Sequence, residues 1–446
     1  MLGVVLGFVA GVSAGTWTHR ALQSAVTHVQ PMTGIVLWAD GGTDNAVNSI
    51  QLEFRYLRYA DVVKQKGVWN WDTVESTLSE VAARGHQAIL RFYDVYPNEP
   101  SGVPDYILAL PDFRDTTALS EGNPTVFPDW GNTELQSFAL DFYSKLATRY
   151  DSDPRLAFLE VGFGLWAEYH IYDGPMILGR TFPDIAYQQK FLQHLDSVFV
   201  YLPWGISIDA ASEWAPFQTV PKLMQLGIGH FDDSFLNVDQ NGYNLESWNF
   251  FGTDRWKSVF AGGEFSYYTT NDQKLALSTT GPHGLSFDSA AGIYHITFMI
   301  GADQPSYQTW TRIAQASMKT GYHFQVTDFI ASADSAVIRI TNKGVAPLYR
   351  DAWPALDGIR TTQSLRGLLP GDTTAFVIAR GGANPVLSIA CDHLVTGQKI
   401  EFDANLSDTS PSSVLRRNAV IRKERDTRYY RINGQRLDSP LQGNGK

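Results

Sequence analysis

A regular alternation of short apolar runs with helical patterns, between about residues 30 and 315, constrains the fold of this chain more than any other feature. Eight of the runs are interpreted as β-strands because they are apolar, short and bounded by turn residues. They are Gly34–Trp38, Ser49–Tyr56, Gln87–Tyr93, Leu156–Val161, Trp204–Asp209, Gly227–Phe231, Ser258–Gly262 and His295–Ile300. Eight strand and helix repeats favour a closed parallel barrel over a doubly wound sheet. The sequence therefore predicts an α/β fold with a (β/α)8 TIM barrel over residues 30–318.

Helical patterns and one long loop fill the intervals between these strands. Apolar residues recur at helical spacing in Thr73–Arg84, Leu135–Tyr150 and Ile185–Val198. Residues 96–130 are instead rich in proline and glycine, which predicts a long loop after the third strand. Such a loop is expected at the barrel face that carries active sites.

The pattern changes past residue 320, where short β segments are separated by turn signals. The expected strands are Tyr322–Thr327, Ala336–Thr341, Thr374–Ile378, Val386–Ile389 and Gln398–Asp403. Short strands at this spacing are typical of antiparallel sandwiches. A small antiparallel β-sandwich domain is therefore predicted over residues 319–410.

The two ends of the chain carry further features. Residues 2–10 are apolar, and Val12-Ser-Ala14 offers a cleavage site for a signal peptidase. These features predict a signal peptide over residues 1–14 and therefore a secreted or periplasmic protein. The alternative is that residues 2–10 form a buried strand or helix. No other stretch is long and apolar enough to span a bilayer, so no integral membrane segment is expected. Residues 411–446 are interpreted as a solvated basic tail, with a nucleic-acid arm as the alternative.

Charge and composition narrow the classes of function. The net charge of −11 argues against nucleic acid or an anionic membrane as a partner. The single cysteine, Cys391, excludes an internal disulfide and a Cys-rich metal site. No P-loop, G-x-S-x-G, H-E-x-x-H or G-x-G-x-x-G motif is present, so no cofactor is expected. The 12 Trp and 20 Tyr supply rings that can stack on sugars, although most such rings pack in cores.

Two glutamates follow glycine-rich strand ends, where barrel enzymes place reactive groups. Glu168 lies in Gly162-Phe-Gly-Leu-Trp-Ala-Glu-Tyr-His170 after the fourth strand, and Glu264 follows two glycines after the seventh. Glycosidic cleavage needs one carboxyl to protonate the leaving oxygen and another to attack C1 or activate water. The pair therefore predicts a glycoside hydrolase, the alternative for each being a solvated loop position. Glu160 competes with Glu168 as the acid and, if buried, would need a partner such as Arg91.

Further residues at strand ends are candidates for carbohydrate binding. His230, Asp232 and Asp233 could bind sugar hydroxyls, orient a glutamate or hold a cation. A cation site needs another convergent ligand, so sugar binding is preferred and no metal is assigned. Arg91 could hold a carboxylate ionised, the alternative being an ordinary ion pair between helix and sheet. The other candidates are Asp94, Trp166 and His170, with Trp38, Asp40, Asp209, Trp214, Tyr267 and Tyr268 ranked below them.

Several of these motifs resemble a known group of enzymes. Gly67-Val-Trp-Asn-Trp-Asp72 and Gly85–Arg91 are similar to the turn after the second strand and to the third strand of retaining barrel glycosidases of clan A. The chain more closely resembles bacterial proteins of unassigned function that join such a barrel to a C-terminal sandwich. The similar stretches are Gly162–His170, Gly229–Asp233, Gly262–Glu264, Thr341–Tyr349 and Leu369–Gly371.

The clan A resemblance implies that Glu168 is the acid/base and Glu264 the nucleophile of a retaining mechanism. It also implies carboxyl groups about 5–5.5 Å apart. Clan A usually has Asn directly before the acid/base, whereas this chain has Ala167 there. The leading hypothesis is a retaining glycosidase that acts on a polysaccharide or oligosaccharide. The rival hypotheses are a non-catalytic carbohydrate-binding protein on a barrel scaffold and a lyase or metal-dependent hydrolase.

Overall fold

The computed structural model describes residues 16–39, 48–408, 429–430 and 436–437. The predicted signal peptide and the subsite candidate Asp40 lie outside the described residues. So does the predicted basic tail, apart from two short strands of two residues each. Within the described part of the chain, no helix combines the length and the apolar character that a membrane span requires.

A closed barrel of eight parallel strands forms the centre of the molecule. The strands up to residue 300 are β1 (Thr18–His19), β2 (Leu22–Ser24), β3 (Gly34–Trp38), β4 (Leu52–Arg58), β5 (Val63–Gln65), β6 (Val68–Trp69), β7 (Gln87–Tyr93), β8 (Thr116–Ser120), β9 (Asn123–Phe127), β10 (Leu156–Glu160), β11 (Trp204–Ser207), β12 (Gly229–Phe235), β13 (Ala261–Phe265) and β14 (Phe298–Ile300). The barrel order is β3, β4, β7, β10, β11, β12, β13 and β14, and β14 pairs with β3 to close it. The predicted barrel is confirmed, with strand bounds that differ by a few residues.

Helices lie between the barrel strands. The described residues contain α1 (Tyr59–Val62), α2 (Asp72–Ala83), α3 (Asp105–Leu108), α4 (Thr133–Tyr150), α5 (Ile185–Val198), α6 (Leu245–Phe251), α7 (Thr270–Leu275), α8 (Phe287–Ile293), α9 (Gln304–Tyr307) and α10 (Trp310–Ser317). The three helices expected from apolar spacing correspond to α2, α4 and α5. The side chain of Asn132 caps α4 by accepting hydrogen bonds from the backbone N–H groups of its first turn.

The stretch after β7 is more ordered than the predicted long loop. It contains α3 and a hairpin in which β8 and β9 pair antiparallel, Thr116 opposite Phe127. The turn of the hairpin has Glu121 and Gly122 in the left-handed region, at φ of 51° and 71°. A two-residue turn with positive φ at both positions matches the twist of paired strands. The prediction of an irregular loop was therefore wrong for residues 116–127.

The chain beyond the barrel forms two sheets. Their strands are β15 (Phe324–Ala331), β16 (Ala336–Asn342), β17 (Ala352–Leu356), β18 (Ile359–Arg360), β19 (Thr373–Ile378), β20 (Leu387–Cys391) and β21 (Phe402–Leu406), followed by the separate pair β22 (Tyr429–Tyr430) and β23 (Arg436–Leu437). One sheet has the order β19, β16, β15, β21, β2, with β1 paired to β15; the other has the order β18, β17, β20. Because β15 and β21 are parallel, the larger sheet is mixed, not purely antiparallel as predicted. The sandwich arrangement itself stays a prediction.

These sheets cover the end of the barrel at which the strands begin. Barrel residues Phe158, Phe260 and Phe298 share one apolar cluster with Tyr322 and Leu348 of the C-terminal region. The buried guanidinium of Arg350 donates to the carbonyl oxygens of Tyr201 and of Leu156, the first residue of β10. The opposite end of the barrel, where the strands finish, carries the candidate site.

Candidate active site

Four carboxylates and one arginine meet at the end of the barrel where the strands finish. Arg91 lies in β7, Glu160 is the last residue of β10, Asp233 lies in β12 and Glu264 in β13. Glu168 reaches the same place from the loop that follows β10. Catalytic groups of barrel enzymes occupy this face. The cluster is therefore the candidate active site.

The guanidinium of Arg91 joins three of these carboxylates and is fully buried. Its Nε donates to Glu160 Oε2 at 2.9 Å, and its Nη2 contacts the same oxygen. Nη2 lies 2.6 Å from Asp233 Oδ2, and Nη1 lies 3.3 Å from Glu168 Oε1. The ion pair between Arg91 and a buried Glu160, which the sequence suggested, is thus present.

The loop that carries Glu168 has an uncommon backbone. Trp166, Ala167 and Tyr169 have φ of 52°, 60° and 66°, a region that residues other than glycine rarely adopt. Gly162 permits the tight path, because a Cβ at that position would lie 1.9 Å from the carbonyl oxygen of Ala167. Rare backbone conformations persist where the surrounding structure enforces them and cluster at functional sites. The loop therefore holds Glu168 in a defined position.

Glu264 reaches the cluster from a strand that also needs a glycine. The preceding residue, Gly263, has φ of 154°, and a Cβ there would lie 2.1 Å from the backbone oxygen of Asp232. Glu264 is only 8% exposed. Within the described residues its Oε1 has no hydrogen-bond partner. A buried carboxylate oxygen without a partner is available to a ligand.

The cluster contains more acids than cations. Burial raises the pKa of Glu168 and that of Glu264 well above the usual range, and the charge of Asp233 raises both further, whereas Arg91 opposes the rise. Burial also raises the pKa of Glu160 to about 7, against the attraction of Arg91. The single positive charge of one buried guanidinium does not neutralise the negative charges of four carboxylates. The cluster therefore retains protons near neutral pH.

His170 connects Glu168 to a further acid. Its Nδ1 lies 3.1 Å from Asp209 Oδ2, and its Nε2 lies 3.8 Å from Glu168 Oε2. Asp209 also accepts a hydrogen bond from Ser207 Oγ at 3.1 Å. Asp209 follows β11, so the strand between β10 and β12 also contributes to the cluster.

Aromatic rings surround the carboxylates. Trp166 stacks on the exposed ring of Tyr172, with centroids 6.1 Å apart and planes at 23°. Tyr267 is 48% exposed, and partial burial together with the charge of Glu264 raises its pKa. Flat apolar faces next to polar groups are suited to sugar rings.

Tyr56 and Tyr96 are site residues that the sequence analysis missed. The hydroxyl of Tyr56 accepts a hydrogen bond from Arg91 Nη1 at 3.0 Å, and its ring packs on Trp38 at 5.6 Å and on Tyr96 at 5.6 Å. In the barrel, Tyr56 is directly opposite Arg91 on the neighbouring strand. A tyrosine near the end of a predicted strand was the available signal. Trp38, a predicted binding residue, adjoins the cluster through Tyr56.

His230 and Asp232 lie away from the cluster, although the sequence predicted them as binding residues. The His230 ring packs on Phe251 with centroids 4.0 Å apart, and burial lowers its pKa. Asp232 accepts hydrogen bonds from the side chain of Asn244 at 2.8 Å and 2.9 Å. Successive strand residues point to opposite faces, so only Asp233 of this group faces the barrel interior. The contacts of His230 and Asp232 are structural.

Asp94 also lies outside the cluster. Its Oδ2 accepts a hydrogen bond from Trp130 Nε1 at 2.7 Å, and burial raises its pKa to about 7. Trp130 belongs to the largest apolar cluster of the barrel. Asp94 therefore anchors the loop after β7 to the core, and the structure does not bring it to the carboxylates.

No protein-family model matches the chain, and no curated protein matches it. Among solved structures, the chain is similar to an intracellular xylanase from Thermoanaerobacterium saccharolyticum, with 12% identity, a TM-score of 0.37, and 62% of this chain and 87% of the xylanase covered. It is similar to endo-glycoceramidase II from Rhodococcus sp., with 9% identity, a TM-score of 0.41, and 80% of this chain and 100% of that chain covered. It is also similar to a family 39 glycoside hydrolase from Bacteroides cellulosilyticus, with 12% identity, a TM-score of 0.40, and 81% of each chain covered. These proteins are glycoside hydrolases, the class that the sequence resembles; identities and TM-scores this low carry no information on the reaction.

Proposed function

We propose that the chain is a glycoside hydrolase that cleaves O-glycosidic bonds of a polysaccharide or oligosaccharide with retention of configuration. Glu264 is the nucleophile and Glu168 is the acid/base. The observation that carries the proposal is the meeting of these two largely buried carboxyls, both with raised pKa, at the mouth of the barrel. Retaining hydrolysis requires one protonated and one ionised carboxyl in one cleft.

The electrostatics of the cluster support a shared proton. The charge of Asp233 acts on both Glu168 and Glu264, and the guanidinium of Arg91 is the cation that opposes it, so ionising Glu168 and Glu264 together is unfavourable. Glu168 keeps its proton because it is buried and repelled by Asp233 and Asp209. Glu264 then ionises and attacks C1 as Glu168 protonates the leaving oxygen. Water, deprotonated by Glu168, releases the sugar in the second step.

Glu168 is a better candidate for the acid/base than Glu160. The side chain of Glu160 has no exposed surface, and Arg91 binds its Oε2 through two nitrogens. The side chain of Glu168 is 13% exposed, so a substrate can reach it. Glu160 instead keeps Arg91 in place.

The decisive experiment is a screen of the purified protein against polysaccharides and aryl glycosides, run in parallel with Glu264→Gln and Glu168→Gln. We expect release of reducing sugar from one glycan and a loss of at least about 10³-fold in kcat for Glu264→Gln. For an active aryl glycoside, NMR should show that the first product has the anomeric configuration of the substrate. Equal activity of Glu264→Gln and the unaltered protein, or an inverted product, would overturn the mechanism.

A carbohydrate-binding protein without turnover is the second candidate, and Ala167 is the observation that favours it. In clan A the residue directly before the acid/base is usually an asparagine, whose amide can hydrogen-bond a sugar hydroxyl. Alanine has no such group. This candidate predicts that one glycan stabilises the protein to heat, that Glu168→Gln is stabilised equally, and that no sugar is released.

A further inference from the structure

A ring nitrogen of His170 is buried beside the proposed acid/base without a partner. Within the described residues, Nε2 of His170 makes no hydrogen bond, and it lies 3.8 Å from Glu168 Oε2. Unpaired buried nitrogens are uncommon in folded proteins. The position of this one suggests a role in the proposed reaction.

Asp209 determines which nitrogen of His170 carries the hydrogen. A carboxylate only accepts hydrogen bonds, so the 3.1 Å contact between Nδ1 and Asp209 Oδ2 requires a hydrogen on Nδ1. Ser207 Oγ and Tyr243 Oη also donate to Asp209, at 3.1 Å and 3.5 Å, and keep its carboxylate oriented. In the neutral ring, Nε2 therefore presents a lone pair towards Glu168.

The two oxygens of Glu168 have different surroundings. Oε1 faces Arg91 Nη1 at 3.3 Å and acts as an acceptor. The acid proton of Glu168 therefore belongs on Oε2, the oxygen that faces Nε2 of His170. A movement of about 1 Å would bring the two atoms to hydrogen-bond distance.

We propose that His170, oriented by Asp209, is a positioning residue: its Nε2 accepts a hydrogen bond from the Oε2–H group of Glu168 and so holds the acid proton on Oε2 until the leaving oxygen takes it. This inference rests on the proposed role of Glu168. In the first step the proton passes from Oε2 to the leaving oxygen, the bond from C1 to that oxygen breaks, and Glu264 bonds to C1. In the second step water gives its proton to Oε2, its oxygen bonds to C1, and Glu264 leaves. His170 gains and loses no net proton.

The groups that face His170 are consistent with this role. Besides Glu168 and Asp209, its ring meets Tyr172 and Trp166, with centroids 5.2 Å and 6.2 Å away. Aromatic rings next to a hydrogen bond lower the polarity of its surroundings, and a less polar surrounding strengthens the bond.

The kinetic test uses two leaving groups on the sugar that the screen identifies. Departure of phenol depends on an acid, whereas departure of 2,4-dinitrophenol does not. For His170→Gln and for Asp209→Asn, kcat/KM should fall about 10- to 100-fold with the phenyl glycoside and less than about threefold with the dinitrophenyl glycoside. In a Glu168→Gln background, His170→Gln should cause no further loss.

Two results would overturn this inference while leaving the proposed function intact. One is an equal loss with both leaving groups, which indicates a role in substrate binding. The other is a full additional loss in the Glu168→Gln background. If Glu168→Gln itself leaves kcat/KM for the phenyl glycoside unchanged, the proposed function of Glu168 fails instead.

A second measurement needs no substrate. In protein labelled with ¹⁵N-histidine, the signals of His170 are assigned by their loss in His170→Gln. We expect Nδ1 to be protonated and Nε2 unprotonated, and we expect Asp209→Asn to abolish that preference. His194→Gln is a matched control, because His194 bonds Ser144 and the carbonyl oxygen of Leu140 away from the cluster. A hydrogen on Nε2 in the unaltered protein would overturn the inference, whether the ring is the neutral Nε2–H tautomer or is protonated on both nitrogens.

Discussion

Replacing Arg91 with methionine removes the buried cation of the cluster while keeping a long side chain. The guanidinium carbon of Arg91 lies 4.3 Å from the centroid of Phe231, a contact that an apolar side chain can partly retain. Glu160 loses its partners, because Arg91 binds its Oε2 and, within the described residues, Oε1 has none. The buried carboxyl must then remain as an unpaired ion or take up a proton.

The free-energy cost of each of these two states of Glu160, the unpaired ion and the protonated carboxyl, determines the expected loss of stability. Leaving a buried ion unpaired costs about 3–5 kcal/mol. Keeping a carboxyl protonated costs about 1.4 kcal/mol for each pH unit above its unfolded pKa of about 4.3, which is about 1 kcal/mol at pH 5 and about 5 kcal/mol at pH 8. The folded pKa of Glu160 is already raised, so its contribution to stability is greatest below about pH 4.3 and declines as the pH rises through about 7. Without Arg91 that decline continues to higher pH. With a folded pKa of about 7, Glu160 in the unaltered protein already bears about 4 of those 5 kcal/mol at pH 8. Protonation of Glu160 is the cheaper course, so we expect Arg91→Met to add a loss of about 1–1.5 kcal/mol at pH 8 and almost none at pH 5.

Thermal unfolding of Arg91→Met at pH 5 and pH 8 measures this difference. At about 2 °C per kcal/mol for a unit of this size, Tm should fall by about 2–3 °C at pH 8 and by less than about 1 °C at pH 5. Adding Glu160→Gln should restore part of the loss at pH 8, because the amide carries no charge. Arg149→Met, at an exposed arginine, should change Tm little at either pH. An equal fall at both pH values, with no recovery from Glu160→Gln, would refute the reasoning.

Three further changes test other parts of the molecule. Gly162→Ala places a Cβ 1.9 Å from the carbonyl oxygen of Ala167. The clash should lower the stability by about 1–3 kcal/mol, seen as a lower Tm, and should also lower kcat because the loop carries Glu168. An unchanged kcat would contradict the role of the strained loop. Tyr267→Ala removes a half-exposed ring near Glu264, the proposed nucleophile, and KM should rise about 5- to 10-fold with a smaller change in kcat. A change confined to kcat would argue against stacking. Arg350→Met deletes the donors to two carbonyl groups of the barrel region. The protein should lose about 1–3 kcal/mol of stability, seen as a lower Tm and faster proteolysis. An unaltered resistance to proteolysis would show that apolar contacts alone hold the barrel and the C-terminal sheets together.

The parts of this fold that could be predicted are those with a local signature. Each barrel strand is a short apolar run, and the glycines before Glu264 and around Glu168 are visible in the sequence. The pairing of Arg91 with Glu160 followed from the cost of burying a carboxylate at a strand end. These inferences need only residues that are close in the sequence and the general rule that a buried carboxylate needs a partner.

The parts that could not be predicted depend on strand limits and on distant partners. The sixth strand was expected to end at Phe231, but β12 runs on to Phe235, and alternation along it turns His230 and Asp232 away from the cluster. Strand β17 contains Pro354, a residue that weakens the local signal for a strand. Tyr56 was a strand residue without apparent function until the barrel paired it with Arg91.

The strands at the start of the described chain have a consequence for the order of folding. β2 pairs with β21, with Leu22 opposite Leu406, and β1 pairs with β15. On a ribosome, β1 therefore waits for residues 324–331 and β2 for residues 402–406, although both strands are synthesised early. The barrel can form during that interval, since its closing strand ends at residue 300. Completion of this sheet, at the end of the barrel where the strands begin, would then be a late event that joins residues 18–24 to residues 324–331 and 402–406.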